Sequence, residues 1–546
     1  MTIHFSMSEK KEFGDFQTPE RLATRCVALV AQIFGTPDLV IEPTAGLGAF
    51  LKASAKRWGQ KPEYRGYDIS REYVDAARRN MSEFAVQILH RNFFDEDWKC
   101  NLARSGKPRV LVIGNPPWVT NSELGQLGSK NLPTKTNFQG LRGFEARTGK
   151  SNFDISEWML VRLIEALPAE GAIAMLCKTT TARKVLRHFW KTYGGLEGSS
   201  LFYIDAKAEF GVAVDACLFF ASGKRTTERV AAVYSDLDTT STCTRFGFVD
   251  GALVSNLDAY RAHRTLDGGS SIYTWRSGVK HDAGSVMEFT RNGHKLINGL
   301  DQLVDIEEDF VFPLLKSSDL GNGRASIRKA ILVTQKHTGD DTSQIAQMAP
   351  KTWRYLVRHA DLLDDRKSSI YENRPRFSVF GIGPYSFAPW KIAISGLYKN
   401  ISFVLVPPHH GRPVMLDDTC YFIPCQSQDE GQLLLELVSS ACAKEFLNSL
   451  IFQDSKRPVT VEVLKRLSLA ELARELGRVD ELEQLLHSAS ANEGSNTQMS
   501  LLMESSPEYG TGRGHRLLRP QKRNTFSHCP KRCSQKSLAG TASTSR

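Results

Sequence analysis

Four consecutive residues, Asn115-Pro116-Pro117-Trp118, carry the densest chemistry in the sequence. Two prolines fix φ and remove two N–H donors, which leaves a stiff segment rich in carbonyl acceptors. The Asn side chain adds an acceptor and the Trp a flat aromatic face. Such a segment can accept both hydrogens of a planar amino group while stacking on the ring that carries it; taken alone, it serves equally as a rigid turn closed by a buried Trp. A second segment, Glu42-Pro43-Thr44-Ala45-Gly46-Leu47-Gly48, places two glycines where a backbone can approach a ligand closely and a helix start can offer free N–H groups. Asp68 follows Glu42 by about 26 residues, near the distance at which Rossmann-like folds bind ribose hydroxyls. The third glycine of the dinucleotide fingerprint is missing, and a purely structural turn accounts for the segment as well.

The elements that must position these residues alternate over the first 220 or so positions. Leu39 to Ile41 reads as a strand ending in the Gly-rich turn, and Ala49 to Trp58 as the helix beyond it. Tyr64 to Ile69 and Arg71 to Phe84 repeat the pattern, and Val110 to Ile113 is a strand ending at Asn115. Ile155 to Leu167 has helical spacing, while Gly171 to Cys177, Phe202 to Ile204 and Ala216 to Ala221 read as further strands. Short strands separated by helices predict an α/β fold with an open, mostly parallel sheet, whose ligands bind beyond the carboxyl ends of the strands. Both chemistry-bearing segments sit at such ends.

Taken in order, Gly14-Asp15-Phe16-Gln17-Thr18-Pro19, Glu42 to Phe50, Tyr67-Asp68-Ile69, Asn92-Phe93-Phe94 and Asn115 to Trp118 resemble the gamma-type N6-adenine DNA methyltransferases of bacterial restriction–modification systems. The resemblance covers roughly the first 220 residues. It implies a Rossmann-like class I methyltransferase sheet, S-adenosyl-L-methionine as the donor, and methylation of N6 of an adenine flipped out of double-stranded DNA. Gln17, Thr18 and Pro19 match the motif that closes over the methionine end of the cofactor, and Glu42, Thr44, Gly46 and Gly48 the loop around it. Asp68 matches the ribose-binding carboxylate, Ile69 the residue packed on the cofactor adenine, and Phe93 a wall of the same pocket. Asn92 stands where the family has Asp; its amide oxygen can still accept from the adenine amine. Asn115, Pro116, Pro117 and Trp118 match the catalytic motif. Glu209-Phe210-Gly211-Val212 resembles the segment with a second aromatic on the target base, which makes Phe210 that ring. Asn152-Phe153-Asp154 and the strand from Gly171 match later motifs more loosely, and Lys178-Thr179-Thr180-Thr181 is given no role.

Residues 1–224 are therefore read as the methyltransferase domain, 225–490 as a mixed α/β target-recognition domain and 491–546 as a basic, low-complexity, disordered tail. Strand and loop signals dominate the second region until the chain turns helical from Val459 to Leu486. A domain of that size after the catalytic motif argues for DNA over a protein glutamine as substrate, and a cytosine N4 amine stays as the rival target within DNA. Arg374 to Lys399 interleaves cations with aromatics, and Gly278-Val279-Lys280-His281-Asp282 also looks like recognition-domain sequence; Lys280, Arg376 and Lys391 are the expected DNA contacts. Pro424-Cys425-Gln426 imitates the nucleophile motif of C5-cytosine methyltransferases, but no Glu-Asn-Val partner stands nearby, and Cys425 is read as a buried thiol in a turn. A non-catalytic DNA-binding protein of the same fold is disfavoured by the intact Asn115 to Trp118.

Bulk composition agrees. The 546 residues carry a net charge of +10, but the last 56 hold nine Lys or Arg against three Glu, so the body is only mildly basic. No apolar run reaches the roughly 18 residues a membrane span needs, and Met1 to Phe16 lacks a signal-peptide core, so a cytoplasmic protein is expected. The ten cysteines form no CxxC pair and His409-His410 has no spaced partners, so no metal is expected. One recognition region per catalytic region predicts a monomer, and the short stretch ahead of residue 15 predicts that any cognate restriction endonuclease is a separate protein.

Overall fold

Leu39–Glu42 and Val110–Gly114 are buried at every position, the pattern of strands covered on both faces. Their side chains alternate accordingly. Leu39, Ile41, Val110 and Val112 belong to one apolar cluster, and Val40, Leu111 and Ile113 to another on the opposite face. The computed structural model describes residues 17–119, 154–238, 244–269, 273–323 and 327–491. Residues 14–16, 152 and 153 of the family-like segments and the tail from 492 lie outside the described residues.

The first elements are α1 (Glu20–Ile33), β1 (Leu39–Glu42), α2 (Ala49–Trp58), β2 (Glu63–Asp68), α3 (Arg71–Asn80), β3 (Val86–His90), α4 (Trp98–Arg104) and β4 (Val110–Gly114). After them come α5 (Ile155–Ala166), β5 (Ala172–Lys178), α6 (Thr179–Thr192), β6 (Ser200–Ile204), α7 (Ala206–Phe210) and β7 (Ala216–Ser222). The sheet order is β3-β2-β1-β4-β5-β7-β6, parallel except for β7, which runs antiparallel to both neighbours. This is the Rossmann-like class I methyltransferase sheet. Strand order reverses between β1 and β4, so their carboxyl ends open the crevice in which such sheets bind ligands.

The sheet does not stop at residue 224. β8 (Val230–Tyr234), β9 (Thr244–Val249) and β10 (Ala252–Val254) extend it beyond β6 to ten strands. β8 pairs parallel to β6 and buries Ala231 and Val233 against the same core as β5. The following region is mixed α/β. Its six-stranded sheet spans residues 288–416, and its four-stranded sheet consists of β11 (Arg276–Ser277), β12 (Trp390–Ser395), β13 (Phe403–Val406) and β14 (Cys420–Cys425) in the order β11-β14-β12-β13. Leucine-rich helices from Gln428–Ser439 to Val479–Ala491 close over the four-stranded sheet. Cys425 is fully buried as the last residue of β14, a strand and not the turn expected for it. No helix among the described residues is long and apolar enough to cross a membrane.

Candidate active site

The Gly-rich turn leaves β1 with Gly46 and Gly48 at φ +49° and +82°, a region that L side chains rarely adopt. Gly48 is the N-cap of α2, and a Cβ on Gly46 would come within 2.7 Å of Gln17 Oε1. The loop is held by the residues the family-like reading groups around it. Gly46 N–H donates to Asp68 Oδ2 at 2.8 Å, and Leu47 N–H donates to Gln17 Oε1 at 3.1 Å. The other Asp68 oxygen accepts from Ser70 N–H at 2.8 Å, so this carboxylate at the end of β2 is oriented by backbone on both sides. Ile69 beside it is 36% exposed, an apolar surface next to the carboxylate. Thr18 is half-buried and Pro19 is the N-cap of α1, which makes Gln17 the lead-in to that helix.

Glu42, at the end of β1, is buried beneath the loop. It is 3% exposed, and its Oε2 accepts from Leu51 N–H at 3.1 Å inside the first turns of α2. Burial, reinforced by the nearby Asp68 charge, pushes its carboxyl well above the ordinary carboxylate range. Glu42 thus anchors the helix that begins at the loop. Asn92 Oδ1 accepts from Phe94 N–H at 3.1 Å, a local cap of the turn at Phe93–Asp95. Phe93 is core, with its ring 4.9 Å from Trp98 and 6.2 Å from Trp158.

Thr44 Oγ1 donates to the Asn115 carbonyl at 3.2 Å, joining the Gly-rich loop to the segment that follows β4. Asn115 and Pro117 are half-buried, and Pro116 and Trp118 are buried. Trp118 is 5% exposed, its indole N–H reaches the Leu176 carbonyl at 3.4 Å, and its ring meets Phe210 edge-on at 5.3 Å and 71°. The two aromatics are neighbours and pack on each other. Lys178, the last residue of β5, was given no role by its motif. Its ammonium donates to the Trp118 carbonyl at 3.0 Å and pairs with Asp154 at 2.7 Å. The overlooked signal is position: Lys178 ends the strand next to β4, at the same carboxyl edge.

Lys280, Arg376 and Lys391 are the expected DNA contacts. Lys391 is corrected: it is 1% exposed in the interior strand β12, and its ammonium donates to the Ala388 carbonyl at 2.7 Å, so it presents no charge to a surface. Arg376 is half-exposed and held by Asp364 at 2.6 Å. Lys280 pairs with Asp282 at 2.7 Å and lies 3.9 Å from Asp418. Both cations are thus paired with carboxylates in this structure. Among the described residues, no group of His, Cys, Asp and Glu could hold a metal.

No protein-family model matches the chain. It is 41% identical over 477 residues to the Type II methyltransferase M.NspV of Nostoc sp. (strain ATCC 29411 / PCC 7524), covering 86% of this chain and 99% of that one. Among solved structures, the Type IIL restriction-modification enzyme MmeI, determined in complex with DNA, overlaps 90% of this chain and 75% of its own at 14% identity and a TM-score of 0.47. The type IIG restriction endonuclease BpuSI overlaps 83% and 58% at 15% identity and 0.35. Neither overlap is close enough to carry an argument of its own; the identity to M.NspV, nearly end to end for that protein, does. The chain belongs to the Type II methyltransferases, the DNA methyltransferases of restriction–modification systems.

Proposed function

We propose that this enzyme transfers a methyl group from S-adenosyl-L-methionine to N6 of an adenine flipped out of double-stranded DNA. The observation that carries the reading is the placement of Asn115 to Trp118 at the carboxyl end of β4, tied through Thr44 to the Gly-rich loop of β1. The residues present fit the cofactor: Asp68 with exposed Ile69 offers a carboxylate beside an apolar surface, and Gln17 with the positive-φ loop forms a polar cradle. When bound, S-adenosyl-L-methionine supplies a sulfonium methyl for direct displacement.

The amine of adenine is a poor nucleophile because its lone pair is delocalised into the ring. In this reading Asn115 Oδ1 and the Pro116 carbonyl accept its two hydrogens, which favours a pyramidal nitrogen and offsets the positive charge that develops there. The nitrogen lone pair would take the methyl with S-adenosylhomocysteine as the leaving group, and Asn115 and Pro116 would hold the methylated nitrogen while its extra proton passes to water. Trp118 and Phe210 supply the aromatic walls, worth about 1–3 kcal/mol per stacked base, against a flipping cost of a few kcal/mol. Target recognition falls to the region beyond the ten-stranded sheet.

Nucleoside analysis of DNA methylated by the purified enzyme tests the reading. N6-methyladenine is expected, and N4-methylcytosine or unmodified DNA would reject it. Asn115→Ala is expected to abolish methylation and to keep S-adenosylhomocysteine binding within about twofold, because the cofactor cradle lies on other residues. Unchanged turnover would remove Asn115 from the mechanism.

A further inference from the structure

Phe210 is the last residue of α7, a helix of five residues, far too short to hold itself together. Asp205 caps it, with Oδ1 accepting from Ala208 N–H at 3.0 Å, and Ala206 is buried beneath it. The chain then turns away at Gly211, φ +74°. A further anchor lies at Glu209, beside Phe210. Its side chain is only 8% exposed and is covered by two arginines of α1: Arg21 at 3.0 Å and Arg25 at 4.0 Å. The pair is asymmetric. Arg21 stays 75% exposed, so the desolvated partner is the carboxylate, which needs the cations to remain where it is. Arg25 also pairs with Asp238 at 2.5 Å, at the solvent-exposed end of the contact.

The helix that grips Glu209 is also the one that follows Gln17, whose amide oxygen accepts from the Gly-rich loop at Leu47. One element therefore touches the cofactor loop at its lead-in and the base-facing segment at its first turns. We propose that Glu209 is a positioning residue, held by Arg21 and Arg25, that sets Phe210 against Trp118 and so controls how well the pocket receives the flipped base. The proposal rests on the reading of Trp118 and Phe210 as base-stacking rings. Glu209 does not touch the base; it acts through Phe210.

The test uses the full chain, S-adenosylhomocysteine and a duplex with 2-aminopurine at the methylated adenine, whose fluorescence reports the extrahelical base. Glu209→Gln keeps the shape and removes the charge. It is expected to lower the extrahelical equilibrium constant and kcat/KM about tenfold, the scale of one lost charge-assisted hydrogen bond, with S-adenosylhomocysteine affinity unchanged. In a Phe210→Ala background the same substitution is expected to change either quantity by less than about twofold, since the residue it acts through is gone. Arg21→Gln breaks the contact from its exposed side, where folding is not at stake, and is expected to act in the same direction. An equal effect in both backgrounds would reduce Glu209 to a general stabilising role and overturn the proposal, as would a fully active Glu209→Gln. A wild-type enzyme that methylates adenine without raising the fluorescence would instead sink the base-stacking reading, and the positioning role with it.

Discussion

Lys391 carries an ammonium into the protein interior, and replacing it by Met tests what that burial costs. In β12 it faces Val406 on β13 and Pro424 on β14, and it lies on the same side of the strand as Ala393, which packs in an apolar cluster with Phe422 and Val406. Among the described residues it has no carboxylate partner; its ammonium has the Ala388 carbonyl at 2.7 Å and the Phe422 ring at 5.8 Å. Burial pushes the ammonium from its ordinary 10.5 down to about 7. A displacement of that size corresponds to roughly 4–5 kcal/mol of folding free energy. Below pH 7 both folded and unfolded chains hold the proton, and the burial penalty is present in full. Between about 7 and 10.5 the unfolded chain binds more protons than the folded one, so stability rises with pH until the penalty is gone.

Lys391→Met keeps the apolar stem and removes both the charge and the donor to Ala388. Leaving that carbonyl unsatisfied costs about 1–3 kcal/mol. The variant should therefore be more stable than wild type by roughly 2 kcal/mol at pH 6.5 and should lose that advantage, by about 1 kcal/mol or more per pH unit at most, as pH rises toward 9. Urea unfolding of both proteins at intervals from pH 6.5 to 9 measures the difference. Parallel stability curves would refute the reasoning, because a surface lysine has no such window. The same variant should bind DNA with unchanged affinity and salt dependence; a salt slope reduced by about one would return Lys391 to the DNA interface.

Two further outcomes follow from the site itself. Lys178→Met removes the ammonium that grips the Trp118 carbonyl and strands the buried Asp154 carboxylate, so turnover should fall at least about tenfold with S-adenosylhomocysteine binding intact; single-turnover kinetics at saturating cofactor measure it, and wild-type rates would show that the loop needs no such grip. Gly46→Ala adds a Cβ 2.7 Å from Gln17 Oε1 at φ +49°, and left-handed strain of about 1–2 kcal/mol should weaken cofactor binding about tenfold. Calorimetric titration with S-adenosylhomocysteine checks this; an unchanged affinity would mean that Gln17 does not shape the cradle.

The catalytic half was legible wherever local and global signals agreed. The helix read over Ala49 to Trp58 is α2 to the residue, because Gly48 starts it in a left-handed cap and Gly59, at φ +64°, ends it. The continuous apolar run from Val110 to Ile113 could only be a strand buried on both faces. Agreement was poorer where a side chain had two plausible partners. The helix at Arg71 was read to Phe84 but stops at Asn80, because Met81 leaves helical geometry to bury its side chain beside Gly48. Val86–His90 escaped notice because it is the half-exposed edge strand of the sheet and lacks a clear apolar alternation. In Arg374 to Lys399, cations between aromatics look the same whether a strand points them outward or inward. Sequence spacing cannot tell β12, with its buried Lys391, from a basic surface.

The contact between Trp118 and Phe210 bears on how the enzyme would select its base. An edge-on aromatic pair contributes about 0.5–1.5 kcal/mol beyond its buried area, which holds the two rings together as one wall before a base arrives. On the proposed reading, stacking worth about 1–3 kcal/mol per contact is set against the few kcal/mol of flipping. The rings alone then bring the extrahelical state only near balance, and they do so for any base, since every base has a π-face. On the proposed reading, what remains to discriminate is the pair of acceptors at Asn115 and Pro116: a base without an exocyclic amine forgoes both hydrogen bonds, at about 1 kcal/mol net each. On this reading the pocket admits amine-bearing bases and rejects the others, and the choice of one adenine in a particular sequence must come from contacts the duplex makes elsewhere on the chain.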